Sequence, residues 1–370
     1  APLKREEVAA AAQRLGSHVV SYWVAEDATY VWVVAPGGAL HSARIAAGAA
    51  RLRALVAATA AAPDVLRQGG APDPQPWRTL HRLLVEPIAP WLPRERGALL
   101  TLVPHGPLLR LAFAALRDAR GRYLVERYAL HSVPAVSALR FTARAPAAAP
   151  RYLLVGDPQG LPPAPGGRAL PRLPGAAREV KSLRLLLEGR AVTVLTGAAA
   201  REAAVKDAVA AHTVVHLATH GVVRDDAPLS SFVALGAGEP GQDGRLTAAE
   251  VYGLRLDAPL VVLSACRTGR GPVTGDGILG LTRAFLSAGA GSLVATLWDV
   301  PDAPSAELVP AFYRALLRGE GRAAALRAAQ LDLLARLRRG ALKVAPDGAG
   351  AAALPEDPAL WAGFTLLGEP

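Results

Sequence analysis

Between residues 152 and 317, short apolar runs alternate with helical patterns, and this alternation limits the fold more than any other feature of the chain. The runs lie at 152–156, 192–195, 213–218, 261–264 and 292–297, with helical segments at 179–187, 201–209, 278–288 and 306–317. Val180, Leu183 and Leu187 fall on one face of the first helical segment, and Thr247 and Glu250 have the spacing of a capping box ahead of Val251. Parallel strands need crossovers of a dozen or more residues, and helices supply them. The strand segments are almost continuously apolar, as strands buried on both faces must be. The expected architecture is an α/β fold with a mostly parallel sheet and helices on both sides.

The first half reads differently. Residues 17–46 alternate with period two and predict antiparallel ribbons, with turns near Glu26-Asp27 and at 36–38. Residues 48–92 are Ala-, Leu- and Arg-rich and predict helices broken at Pro63 and around 69–76. An apolar run at 98–103 ends in Pro104-His105-Gly106, followed by a predicted helix at 111–117 and a strand at 128–133. ARAPAAAP at 143–150 reads as a linker. Two domains are expected: a smaller non-catalytic α/β half at 1–148 and a main domain at 149–370. Two Pro/Gly-rich segments, 157–175 and 345–358, are too broken for regular structure. The first leaves a strand end, where sites form, and is expected to be mobile and to help gate a cleft.

Composition removes several function classes. Hydrophobic residues make up 51% and charged residues 19%, a globular balance. The formal charge is +10, yet the only lysines are Lys4, Lys181, Lys206 and Lys343, and the arginines are scattered without interleaved aromatics. No direct nucleic-acid partner is expected. No apolar run reaches the roughly 18 residues of a membrane span. The opening APLKREEVAA has no apolar signal region, and the chain has no Met, so residue 1 reads as a processed end or the start of a fragment. The single cysteine permits neither an internal disulfide nor a thiolate zinc site, and a cytoplasmic location is expected.

Two predicted strands end in chemically loaded residues. Residues 213–218 run into Thr219-His220-Gly221, and 260–264 run into Ala265-Cys266-Arg267-Thr268-Gly269. Neighbouring parallel strands lie about 4.8 Å apart. If these two are neighbours, His220 and Cys266 emerge side by side, the arrangement in which an imidazole deprotonates a thiol. Gly221 lets a backbone approach a substrate closely, and the Gly221 and Cys266 amides would serve an oxyanion hole. A lone Cys is more often a buried hydrophobe; its glycine-flanked strand-end setting downstream of His-Gly favours catalysis. His212, His216 and His220 are four apart, which on a helix would suggest a metal face, but the apolar content predicts a strand.

These motifs resemble the CHAT domain, a prokaryotic branch of the caspase–separase clan of cysteine peptidases often joined to tetratricopeptide repeats. The matching stretches are HLATHG (216–221), PLSS (228–231), GRLTAAEV (244–251), LVVLSACRTG (260–269), GDGILGLTRAFLSAGAGSLVATLWDVPD (275–302), AFYRALLRG (311–319), ALRAAQLDLL (325–334) and WAGFTLLGE (361–369), with LVPHGPLLRLAFAAL (102–116) in the first half. The resemblance implies a caspase-like fold, a His220/Cys266 dyad with Gly221 in the oxyanion hole, and cleavage of a protein substrate through an acyl-thioenzyme. It implies no metal or organic cofactor, and activation by a partner or attached sensor. Arg267 stands where an acidic residue is common and Asp276 where Glu is common; 345–358 looks like an insertion, and no tetratricopeptide pattern is visible.

In this clan the residue two before the nucleophile lines the primary specificity pocket. Here it is Ser264, and Trp298, Asp299 and Asp276 are the expected further walls. A non-acidic preference, basic or large apolar, follows. For Asp302 the favoured reading is a charge at a helix N-terminus. The rival function is a catalytically silent caspase-like interaction module. LLTLVPHG at 99–106 also echoes VVHLATHG at 214–221, which leaves two readings open for 1–148: a degenerate caspase-like half, or a coincidental strand and turn.

Overall fold

The computed structural model describes residues 4–138, 149–224, 226–264, 276–344 and 352–370, without the side chains of 276–279 and 344. The linker residues 143–148, Cys266, Arg267 and residues 345–351 of the 345–358 segment lie outside the described residues. The chain divides into two compact units, residues 1–141 with 315–368 and 370, and residues 142–314 with 369.

The first unit opens with α1 (Arg5–Leu15), capped by Gly16 in the left-handed conformation. β1 (His18–Val24), β2 (Thr29–Val34) and β3 (Leu40–Ile45) form the antiparallel ribbon that the alternating pattern predicts. α2 (Ala49–Ala60), α3 (Ala62–Arg67) and α4 (Gln75–Leu84) follow, and then β4 (Ala98–Val103) and β5 (Tyr128–Ser132). Residues 111–117 do not form the predicted helix; Phe113–Ala115 is a single 3-10 turn. The Leu116 carbonyl accepts the Leu124 N–H, and Arg117 bridges to Tyr123, so this backbone is used in long-range pairing.

The second unit contains β6 (Arg151–Pro158), α5 (Pro174–Leu186), β7 (Ala191–Gly197), α6 (Glu202–Val209) and β8 (Val214–Ala218). A small antiparallel sheet follows, made of β9 (Gly221–Val222), β10 (Phe232–Ala234) and β11 (Arg245–Thr247). α7 (Ala248–Gly253) starts at the predicted capping box, in which Thr247 Oγ1 accepts from the Glu250 N–H. β12 (Leu260–Leu263), α8 (Asp276–Ser287), β13 (Ser292–Thr296) and α9 (Asp302–Leu317) complete the alternation. The chain then adds to the first unit α10 (Arg322–Arg338), the short β14 (Lys343–Val344) and β15 (Ala352–Ala353), and β16 (Phe364–Gly368).

In the first unit the strands run β3-β2-β1-β4-β5-β16, parallel from β1 onward. In the second they run β13-β12-β8-β6-β7, all parallel. β8, β12 and β13 are buried almost throughout, as their unbroken apolar sequences require. The chain passes from β6 outward to β7 and returns to β8 on the other side. The switch point is therefore between β6 and β8, and ligands in open α/β sheets bind beyond the carboxyl ends there.

Gly156 on β6 lets α5 lie close. A Cβ at this position would sit 2.6 Å from Val180 Cγ2 and 3.1 Å from the Ala176 carbonyl. Gly156→Ala should therefore lower stability by about 1–3 kcal/mol through overpacking. Gly37→Ala, where nothing lies within 4 Å, should be nearly neutral. Urea unfolding of both variants checks this; equal midpoints would show that α5 yields without cost.

Candidate active site

His220 sits two residues past β8, in the sequence Thr219-His220-Gly221, and is fully buried. Thr219 Oγ1 donates to the Ala234 carbonyl at 2.6 Å, and the Ala234 N–H donates to the His220 carbonyl at 2.8 Å. These bonds tie the end of β8 to the small sheet. They also make Gly221 and Val233 a non-hydrogen-bonded pair, in which both N–H groups point away from the partner strand. The Gly221 amide is thus not used in pairing with β10.

His220 Nε2 lies 2.7 Å from the Pro171 carbonyl oxygen. A carbonyl only accepts, so Nε2 carries hydrogen, and the acid–base chemistry of the ring falls to Nδ1. Pro171 belongs to the Pro/Gly-rich segment after β6, which is tied at several points. The Gln159 N–H donates to the Gly197 carbonyl, the Ala237 N–H to the Gly160 carbonyl, and Arg245 Nη2 to the Pro163 carbonyl. At its base, the buried Asp157 carboxylate accepts from Arg172 and from the Leu173 N–H. The Arg172 hydrogen bonds hold the Asp157 carboxyl below the usual carboxylate range.

β8 and β12 are parallel neighbours, with Leu217 opposite Leu263. In sequence, His220 and Cys266 each come three residues after a member of that pair (217 to 220, 263 to 266). Ser264, the last described residue before Cys266, donates through Oγ to Glu179 Oε2 at 3.1 Å. The other Glu179 oxygen receives His216 Nε2 at 2.7 Å, and the Tyr313 hydroxyl donates to His216 Nδ1 at 3.2 Å. Burial pushes the Tyr313 phenol well above its usual range, so it remains an O–H donor. The result is a buried directed chain, Tyr313 to His216 to Glu179, with Ser264 donating to the same carboxylate.

Trp298 and Asp299 follow β13, with Trp298 buried at 6% exposure and Asp299 partly buried. Asp276 begins α8, and its side chain lies outside the description. Asp302 is in the first turn of α9, 3.7 Å from the Arg178 guanidinium, which matches its reading as a helix-terminal charge. His216 is in a strand, which rules out the helical metal face, and the described residues contain no group of three metal-ligating side chains. Sequence reasoning missed Pro171, Asp157, Glu179 and Tyr313. The one available signal was Glu179, an acid beside Val180 on the buried face of a helix.

The profile of the CHAT domain matches residues 74–369. The chain belongs to the CHAT domain family. Tetratricopeptide repeat protein 28 of Mus musculus is 32% identical over 352 residues, covering 82% of this chain and 13% of that protein. Its Homo sapiens counterpart is 31% identical over 341 residues, covering 79% and 13%. This CHAT chain spans about 13% of the length of these relatives. Among solved structures, the separase of the Saccharomyces cerevisiae separase–securin complex superposes with a TM-score of 0.64 at 8% identity, over 99% of this chain and 30% of that one. At that identity the likeness concerns the fold, which is caspase-like: a largely parallel sheet with flanking helices. Among the described residues, no helix of this CHAT chain is long and apolar enough to cross a membrane.

Proposed function

We propose that this CHAT domain is a cysteine endopeptidase that cleaves a protein substrate with His220 as base and Cys266 as nucleophile. The observation that carries this reading is the Pro171–His220 hydrogen bond beside the β6/β8 switch point. It fixes the imidazole and leaves proton transfer to Nδ1. In the proposed cycle, Nδ1 takes the thiol proton and the thiolate adds to the scissile carbonyl. The Gly221 and Cys266 amides stabilise the oxyanion. Collapse breaks the C–N bond as Nδ1–H protonates the leaving amine. Water, deprotonated by Nδ1, then hydrolyses the thioester. The chain's own residues suffice for these steps without a cofactor. A cytoplasmic setting and control by a partner protein or sensor domain belong to the same proposal.

For substrate choice we keep the non-acidic preference, with one change in emphasis. The Ser264 hydroxyl is turned to Glu179, so it contributes a small neutral surface and no charge. Profiling a peptide library with wild type and Cys266→Ala tests both levels. The expected result is Cys266-dependent cleavage after basic or large apolar residues. A dominant requirement for Asp before the cut would overturn the specificity. Cleavage by neither protein, against activated samples and candidate protein substrates alike, would favour the silent interaction module.

A further inference from the structure

Asp157 is the only non-glycine residue with positive φ (46°) among the described residues. Asp tolerates this region better than most residues, but the conformation is still strained. The strain falls at a register shift in β6 between Gly156 and Pro158, at the carboxyl end of the strand flanking the switch point. It turns the carboxylate to within 3.1 Å of Arg172 Nε and 3.0 Å of the Leu173 N–H, with Arg172 Nη2 on its second oxygen. The grip is thus on the two residues that directly follow Pro171. Pro171 has its φ fixed by its ring. With Arg172 and Leu173 anchored, the peptide carbonyl between 171 and 172 has little freedom, and it is this oxygen that meets His220 Nε2 at 2.7 Å.

We infer that Asp157 and Arg172 are positioning residues: their ion pair holds the Pro171 carbonyl on His220 and so sets the ring orientation from which Nδ1 works. The inference rests on the proposed role of His220 as base. An imidazolium that donates from Nε2 to a fixed carbonyl is stabilised, and an adjacent thiolate is stabilised with it. Loss of the clamp should therefore raise the energy of the thiolate–imidazolium pair without removing either catalytic group. A clamp that merely closes the 158–170 segment would leave the thiol's chemistry unchanged.

The single cysteine gives a direct readout, because alkylation of the folded chain by iodoacetamide reports Cys266 alone. The rate is measured against pH for wild type, His220→Ala, Asp157→Asn, Arg172→Ala and Arg172→Lys. Asn retains tolerance for the left-handed backbone while removing the charge. Arg172 is 62% exposed, so its variants should fold even if Asp157→Asn does not. In wild type the alkylation midpoint is expected at least one pH unit below the roughly 8.5 of a free thiol. Asp157→Asn and Arg172→Ala should each raise that midpoint and slow alkylation at pH 7 by about fivefold, with Arg172→Lys intermediate. If His220→Ala moves the midpoint and neither Asp157→Asn nor Arg172→Ala does, the clamp inference is overturned and the dyad stands. If His220→Ala leaves the midpoint of wild type unchanged, the dyad reading itself fails, and the clamp inference with it.

Discussion

Cys266→Ala and His220→Ala should each reduce proteolysis by roughly 10⁴-fold or more, to background, and the double variant should be hardly worse than either single one. The reason is that the two groups act as one unit. Without the thiol there is no acyl-enzyme; without the imidazole, neither thiolate formation nor protonation of the leaving amine is assisted. His220 is fully buried, so His220→Ala needs a separate check of folding, which its circular dichroism and melting temperature supply. His220→Gln is a second test, since it keeps a donor for the Pro171 carbonyl while removing the base. Cleavage of a protein substrate would be followed by mass spectrometry. Near-wild-type turnover in folded Cys266→Ala or His220→Gln would remove the assignment.

The largest stability effect is expected at Glu179. The residue is 4% exposed, and its carboxylate accepts from both His216 and Ser264. Glu179→Ala would leave the buried His216 Nε2 without its acceptor, at about 1–3 kcal/mol, would deprive the half-buried Ser264 hydroxyl of the same acceptor, and would add a cavity. The sum is about 3–5 kcal/mol, a large share of the stability of an ordinary domain. Glu179→Gln should cost less, because one amide oxygen still accepts, but its NH₂ group must face the other donor. Because Ser264 is two residues before Cys266, both variants should also slow thiol alkylation. Denaturant unfolding gives the ranking, wild type above Gln above Ala. An Ala variant within about 0.5 kcal/mol of wild type would show that the chain of hydrogen bonds contributes little.

The two effects are linked through geometry. β8 supplies His216 within the strand and His220 beyond it, so one strand serves both the buried network and the proposed base. Glu179 reaches that network from α5, the helix that begins directly after the Asp157–Arg172 clamp. Gly156 lets this helix sit close to β6. A change that moves α5 should therefore be felt both in stability and at the Pro171 carbonyl.

Much of the second unit was legible in the sequence because its signals are local and strong. Four- to eight-residue apolar runs separated by amphipathic stretches can only be buried strands with crossover helices, and the structure places them so. The antiparallel ribbon of residues 18–45 was readable from period-two alternation. The composition of 111–117 suits a helix, but its backbone is bonded to residues 123 and 124 instead. α1 was missed at the chain's start, and the strands of the small sheet are only two or three residues long, too short for any period to show.

By itself, the sequence determined the fold class, the family and the two residues proposed to carry the chemistry, since strand patterning and strand-end motifs are written in consecutive residues. Which groups surround His220 was decided only by the tertiary structure. Pro171 is 49 residues away in sequence and contributes a backbone oxygen, which has no sequence signature. Asp157 and Arg172 are 15 residues apart, on either side of a segment whose composition suggested looseness, and the pair closes it. Glu179 meets Ser264 across 85 residues, and Tyr313 meets His216 across 97. A lone acid or phenol in an apolar pattern reads as an exception until folding supplies its partner. Only the packed sheet, by bringing the ends of β6, β8 and β12 together, gives these isolated polar residues a shared purpose.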